Sequence, residues 1–153
     1  MQRGRPPLSL KGRALRLLSQ REYSRGELER KLANHAQDPQ EIARVLDELQ
    51  AKGFIDHQRV ADSVVHRRAM KLGAMRIRQE LQAKGLEAEV VQQAVAGLRA
   101  TELQRAREVW RRKFSSPAAE PSARARQARF LVARGFAGDV VSEVVSGCDE
   151  DLQ

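Results

Sequence analysis

The sequence predicts an all-α protein made of three stacked three-helix units. Three observations predict it. The first is an internal repeat: a helix, a glycine stop, one apolar residue and a second helix run from Ala74 to Leu98 and again from Arg129 to Val145. Leu131 matches Leu81, Arg134-Gly135 matches Lys84-Gly85, and Val140-Val141 matches Val90-Val91. Self-similarity at a period of about 45 to 50 residues is the signature of stacked helical modules. The second is composition: Glu, Gln, Lys, Arg, Ala and Leu dominate and aromatics make up 4% of the chain, which favours helix over strand. The third is a series of strong helix-start and helix-stop signals between the apolar stripes.

In chain order, residues 1–7 (MQRGRPP) are basic and lack apolar periodicity, so they read as a disordered arm. The first unit spans 8–55. Leu10, Ala14, Leu17 and Leu18 form a helical stripe. Tyr23-Ser24-x-x-Glu27-Leu28 has the form of a capping box with a hydrophobic staple. Leu28 and Leu32, then Ile42, Val45, Leu46 and Leu49, make a looser copy of the repeat, with Asp38-Pro39 opening its last helix and Lys52-Gly53 closing it. The second unit spans 56–100. Asp56 is placed to cap a helix reaching about Lys71, with Val60, Ala61, Val64, Val65, Ala69 and Leu72 on its inner face. Ala74, Ile77 and Leu81 line one face of the next helix, and Lys84-Gly85 ends it, a cation at the negative end followed by a residue suited to left-handed backbone. Val90, Val91, Ala94, Val95 and Leu98 face inward on the third. The last unit spans 101–148. It holds a helix from Thr101-Glu102 with Leu103, Ala106, Val109, Trp110 and Phe114 inward, a loop over Ser115 to Ser122, an arginine-rich helix and a short Val-rich helix. Residues 149–153 form an acidic tail.

Several functions are excluded or disfavoured. There is no apolar run long enough for a membrane span or signal peptide, which points to a soluble cytoplasmic protein. The single cysteine, Cys148, excludes an internal disulfide framework and lacks a basic neighbour to activate it. No phosphate loop, dinucleotide fingerprint or His-Glu-x-x-His motif is present. His57 and His66 are nine residues apart and so fall on opposite sides of a helix, a poor metal pair. Glu27, Glu41, Glu80 and Glu108 read as caps or helix-face partners, for example Glu108 with Arg112. No catalytic residue, metal or cofactor is expected. A nuclease is the enzymatic alternative, with Asp56 or Asp62 holding its metal.

Charge is the positive signal. The net charge is +8 and the pI about 10.5, which favours a polyanionic partner. The cations cluster: Arg59, Arg67, Arg68, Lys71, Arg76 and Arg78 face one acid, Asp62, and Arg105, Arg107, Arg111, Arg112 and Lys113 face one, Glu108. Arg124, Arg126, Arg129 and Arg134 face none. A solvated helix face accounts for any single arginine. The clusters together favour a surface for phosphates, bound by counterion release. Trp110 and Phe130 could stack on bases, although core positions suit them better. Nothing supports sequence-specific readout.

Three strings carry a family resemblance: Ser24-x-x-Glu27-Leu28-x-x-Lys31-Leu32, Gly53-Phe54-Ile55-Asp56, and Gly73-x-x-Arg76-Ile77-x-x-Glu80-Leu81-x-x-Lys84-Gly85. Lys113-Phe114 and Arg129-Phe130-Leu131-x-x-Arg134-Gly135-Phe136 complete it. Over residues 8–147 the chain resembles the RecX family, regulators of the RecA recombinase. One departure is that Val60 and Val64 or Val65 stand where the family usually carries aromatics. The resemblance implies three tandem repeats in a bent, elongated monomer. It further implies binding in the groove of the RecA filament on DNA, limiting filament growth, ATP hydrolysis, strand exchange and coprotease activity. The partners expected are the RecA filament and single- or double-stranded DNA without sequence preference. The contact candidates are Arg67, Arg68, Lys71, Arg76, Arg111, Arg112, Lys113, Arg124 and Arg126, together with Arg78, Lys84, Arg129 and Arg134, which could equally brace the repeats. A general helical DNA-binding protein with no protein partner is the alternative.

Overall fold

Apolar residues at helical spacing, punctuated by caps, give nine α-helices in the computed structural model, which describes residue 4 and residues 6–147. They are α1 (Leu10–Leu18), α2 (Arg25–Leu32), α3 (Pro39–Ala51), α4 (His57–Arg68), α5 (Ala74–Ala83), α6 (Ala88–Arg99), α7 (Glu102–Lys113), α8 (Pro121–Ala133) and α9 (Gly138–Val145). A 3-10 turn, Ala33–His35, extends α2, and there is no strand among the described residues. Cys148 and the acidic tail, as well as residues 1–3 and 5 of the basic arm, lie outside the described residues.

The starts and stops follow the local chemistry. Ser24 accepts the Glu27 amide and Glu27 reaches back to the Ser24 amide, closing the capping box, with Tyr23 buried beside it. Asp38 caps α3 ahead of Pro39, and Asp56 caps α4 through the amides of Gln58 and Arg59. Gly53, Gly85 and Gly135 take positive φ (82°, 76° and 90°) just past α3, α5 and α8. A left-handed residue at this place lets the chain turn back under the helix end. Two boundaries differ from expectation. The α4 helix ends at Arg68, and α8 begins at Pro121, so Ser122 is helical. Proline suits the first helical position because its missing N–H has no partner there.

Each group of three helices buries its own core. Ala14, Leu28, Leu32, Leu46, Leu49 and Ile55 fill the first. Val60, Val64, Ile77, Leu81, Val91 and Leu98 fill the second, and Ala106, Trp110, Leu131, Phe136, Val141 and Val145 the third. The chain exposes 10395 Å², against about 7800 Å² for a compact globule of this mass. Serial small cores in an elongated molecule account for the excess.

The middle helices of the three groups are joined end to end. The C-terminal carbonyl of Arg134, past α8, accepts the Gly73 N–H at 2.8 Å, and Gly135 accepts the Met75 N–H at 3.1 Å. One repeat earlier, the Lys84 carbonyl past α5 accepts the Ser24 hydroxyl at 2.6 Å. Carbonyls left over at one helix end thereby meet donors left over at the start of the next. The result is a line running α8, α5, α2 through all three groups.

Candidate polyanion-binding face

Two joints hold the line together, and each consumes cations that the sequence offered as contacts. At the first joint Lys84, whose side chain is only 14% exposed, brings its ammonium 3.1 Å from Glu27. Arg21 also pairs with Glu27 at 2.7 Å. Burial opposes ionisation of Glu27, but Arg21, the Ser24 amide and Lys84 outweigh it and hold the carboxyl at about 2. Lys84 is therefore a brace between α2 and α5. His57 completes this joint: its Nε2 accepts the Arg25 N–H at 3.1 Å, and its Nδ1 meets Glu87 at 2.8 Å.

At the second joint Glu102 is buried and accepts the Ala74 N–H at the start of α5. Arg105 donates to the carbonyls of Ala69, Leu72 and Leu98, gathering the ends of α4 and α6. Burial lowers its pKa while Glu102 opposes the shift. The sequence places Arg105 on a basic helix side and Glu102 only at the helix start. The one available hint was an acid beside an arginine at the repeat boundary. Arg76 also works here, donating to the Ala133 carbonyl at 2.8 Å.

The expected ion pair between Glu108 and Arg112 does not form. Arg112 instead reaches across to the Met70 carbonyl at 3.3 Å, tying α7 to the end of α4. Glu80 pairs with Arg68 on the neighbouring helix. Trp110 is a core residue whose indole N–H donates to Gln127, and Phe130 is half-buried under the guanidinium of Arg134, 4.5 Å from the ring centre.

The remaining cations are partly compensated in every group. In the first group Lys11, Arg21, Arg25 and Lys52 pair with carboxylates while Arg13, Arg16, Arg30, Lys31 and Arg44 do not among the described residues, Arg59 at the start of α4 pairs with Glu22 and Asp56, and Arg107 of the third pairs with Glu143. Of the thirteen contact candidates, only Arg68 and Lys84 have a carboxylate partner among the described residues. Arg67, Arg78, Arg111, Arg126 and Arg129 are exposed, and Arg124 bonds the Ala119 carbonyl. The structure brings together those near the second joint. One cleft of about 350 Å³ is lined by Lys71, Val109, Arg112, Lys113, Phe130 and Arg134. Another of similar size is lined by Arg68, Leu72, Arg76, Gln79 and Glu80. They meet around residues 71–72 and the Arg76 contact with the end of α8. Arg126 lies one turn before Phe130 on α8, so it continues the same side. Arg78 and Arg124 line neither cleft.

The enzymatic alternative finds little here. Asp56 is occupied in capping α4, and Asp62 accepts from Gln58. Among the described residues no group of three or more His, Cys, Asp or Glu could hold a metal ion. Among the described residues no helix is long and apolar enough to cross a membrane.

Comparison with known proteins agrees with this architecture. Family models for the first, second and third three-helix domains of RecX match residues 11–49, 56–95 and 100–145. The chain is similar to the regulatory protein RecX of Leptothrix cholodnii, 56% identical over 99% of this chain and 96% of that one. It is 48% identical to that of Ralstonia nicotianae, over 95% and 91% of the two. The crystal structure of RecX from Lactobacillus salivarius superposes with a TM-score of 0.73 at 20% identity, covering 90% of this chain and 92% of that one. With all three domain models matched in tandem and close relatives along its whole length, this chain belongs to the RecX family of regulatory proteins.

Proposed function

We propose that this chain is a non-enzymatic, mainly negative regulator of the RecA recombinase, acting in the cytoplasm as a monomer. Its three repeats, at residues 8–55, 56–100 and 101–148, form a curved rail. The rail lies in the groove of the RecA filament on DNA and bridges neighbouring subunits. By doing so it limits filament growth, ATP hydrolysis, strand exchange and coprotease activity. The observation that supports this reading most is that eleven of the thirteen candidate cations of the second and third repeats have no carboxylate partner among the described residues. Unpaired cations keep their full attraction for a polyanion, whereas paired ones must first give up a partner.

The test is inhibition of RecA ATPase at substoichiometric dose, alongside a charge-matched DNA-binding protein. Strong inhibition well below DNA saturation is expected. Inhibition that merely follows DNA coverage would instead identify a general DNA-binding protein. Changing Arg111 and Arg112 together to Glu should weaken filament association and flatten its salt dependence, with helicity unchanged. An unaltered salt titration would remove both residues from the surface.

A further inference from the structure

The two joints share one seat, and different side chains fill it. Arg25 and Ala74 are the first residues of α2 and α5, and His57 and Glu102 are the first residues of α4 and α7. In each joint the side chain that opens one repeat accepts the backbone N–H that opens the middle helix of the repeat before it. His57 Nε2 accepts from Arg25 at 3.1 Å, and Glu102 accepts from Ala74 at 3.2 Å. The first N–H groups of a helix have no partner within it, so each needs an acceptor from elsewhere. Gly73 before α5 has no side chain to offer one, and Ser24 before α2 spends its oxygen on the Glu27 N–H. The seat is thus a helix cap delivered across the repeat boundary.

The two fillings answer protons differently. A carboxyl group keeps an acceptor oxygen whether it is ionised or not, so Glu102 can hold Ala74 in either state. An imidazole nitrogen accepts only while it carries no proton. The Arg25 N–H can only donate, and the Glu87 carboxylate, 2.8 Å from Nδ1, can only accept. One form of His57 satisfies both: the neutral ring with its proton on Nδ1. The side chain is only 10% exposed, so water has little room to replace either neighbour. The charges around it are accounted for. Burial opposes ionisation of Glu87, at the start of α6, but its own backbone N–H and His57 outweigh it and hold the carboxyl below its ordinary range. On α2 the Arg25 guanidinium pairs with Asp47 and Glu29. On α4 Asp56 holds the amides of Gln58 and Arg59 and pairs with the Arg59 guanidinium. Past α5, Lys84 pairs with Glu27. Glu87 therefore draws a second proton onto the ring, while the Arg25 N–H and the positive end of α2 oppose it.

We infer that His57 is a proton-operated latch between the first two repeats: neutral, it caps α2, and protonated, it releases Arg25 and keeps Glu87. Protonation replaces the Nε2 lone pair with an N–H that faces another N–H, so the ring leaves the amide and follows the carboxylate of its own repeat. The first repeat is then held to the second by Ser24 and Glu27 on Lys84, Arg30 on the Ala83 carbonyl and Glu22 on Arg59. The second joint has no such release, because Glu102 accepts in both of its states. Acidification therefore loosens one joint of the two. The latch is a property of the repeat boundary and holds whatever partner the chain binds.

Histidine is the side chain whose charge ordinarily changes between about pH 5 and 8, so the full chain is followed by NMR across that range. At the alkaline end the imidazole nitrogen shifts of His57 should show Nδ1 protonated and Nε2 bare. Solvent exchange at the Arg25 and Ala74 amides is read as protection factors, which remove the intrinsic pH dependence of exchange. As the ring takes its second proton, protection at Arg25 should fall about two- to tenfold, the equivalent of one lost neutral hydrogen bond. Protection at Ala74 should change by less than about 1.5-fold, since its acceptor persists. His57→Gln keeps a carbonyl acceptor that does not titrate, so it should hold Arg25 protected and abolish the response. His35 and His66 are exposed and still titrate in that variant, so a response of their making would survive it. A proton on Nε2 at the alkaline end overturns the inference, as does a ring that stays neutral down to about pH 5. Steady protection at Arg25 while His57 titrates, an equal loss at Ala74, or a response that persists in folded His57→Gln overturns it too. Should the variant not fold, the comparison of Arg25 with Ala74 in the wild-type chain decides the question alone.

Discussion

Leu81, Ile77 and Leu28 are fully buried, and each sits at a position where the apolar stripe of its helix crosses the local core. Leu81→Ala is expected to cost roughly 2 to 5 kcal/mol, measured by denaturant unfolding. Wild-type stability would mean the stripe does not face the core. Two glycines carry different constraints. Gly85 has φ +76° with open space around it, so Gly85→Ala should cost only about 1 to 2 kcal/mol of backbone strain. Gly73 has an ordinary φ of −80°, but a Cβ there would overlap the Gly135 carbonyl and the Phe136 amide of the neighbouring repeat. Gly73→Ala should therefore cost about 1 to 3 kcal/mol or more and speed hydrogen exchange at the Met75 amide. Equal exchange at Met75 in both variants would show that the close approach is not what Gly73 is for. Gly85 was legible as a helix stop because basic-Gly is a local signal. The close packing at Gly73 was not, because it depends on the backbone at Gly135, in the neighbouring repeat.

The helices join through their ends, and the first joint makes a pH prediction. Glu27 titrates at about 2 in the folded chain against an ordinary 4.5. Folding therefore favours its ionised form, and that stabilisation is present above about pH 4.5 and lost as pH falls towards 2. A shift of this size corresponds to on the order of 3 kcal/mol, shared with Arg21, the Ser24 amide and Lys84. The stability gap between wild type and Glu27→Gln should accordingly be full near pH 6 and narrow steadily as pH falls from about 4.5 towards 2. A gap independent of pH would place the effect of the substitution in packing. The capping box foretold the Ser24 and Glu27 contacts, since both partners lie within one turn. The arrival of Lys84 from the next repeat could not be read from that motif.

Across the whole molecule, cores are local and only the joints are shared. Arg105 ties α4 and α6 of the second repeat to α7 of the third through three backbone carbonyls. Arg105→Gln should leave those carbonyls short of donors, at a cost of about 1 to 3 kcal/mol. Native-state hydrogen exchange should then show the third repeat opening before the other two. A single unchanged cooperative opening would locate the coupling elsewhere. The line of helices also has defined ends. Pro121 at the start of α8 has no N–H to receive a further repeat, and Glu120 before it makes no side-chain cap. The 3-10 turn after α2 replaces the basic-Gly stop at the other end.

Helix identity, repeat number and the inward faces followed from the amino-acid order, because caps, glycine stops and 3.6-residue periodicity act within a few residues of one another. The division of labour among the arginines and lysines did not. Lys84, Arg76 and Arg105 look like any other cation on a basic helix, and only their long-range partners make them braces. Arg112, Lys113 and Arg134 look no different, and only the meeting of α4, α7 and α8 gathers them with Lys71 into an uncompensated cleft. A charge's role depends on which opposite charges and carbonyls come within a few ångströms of it, and folding across the joints decides that.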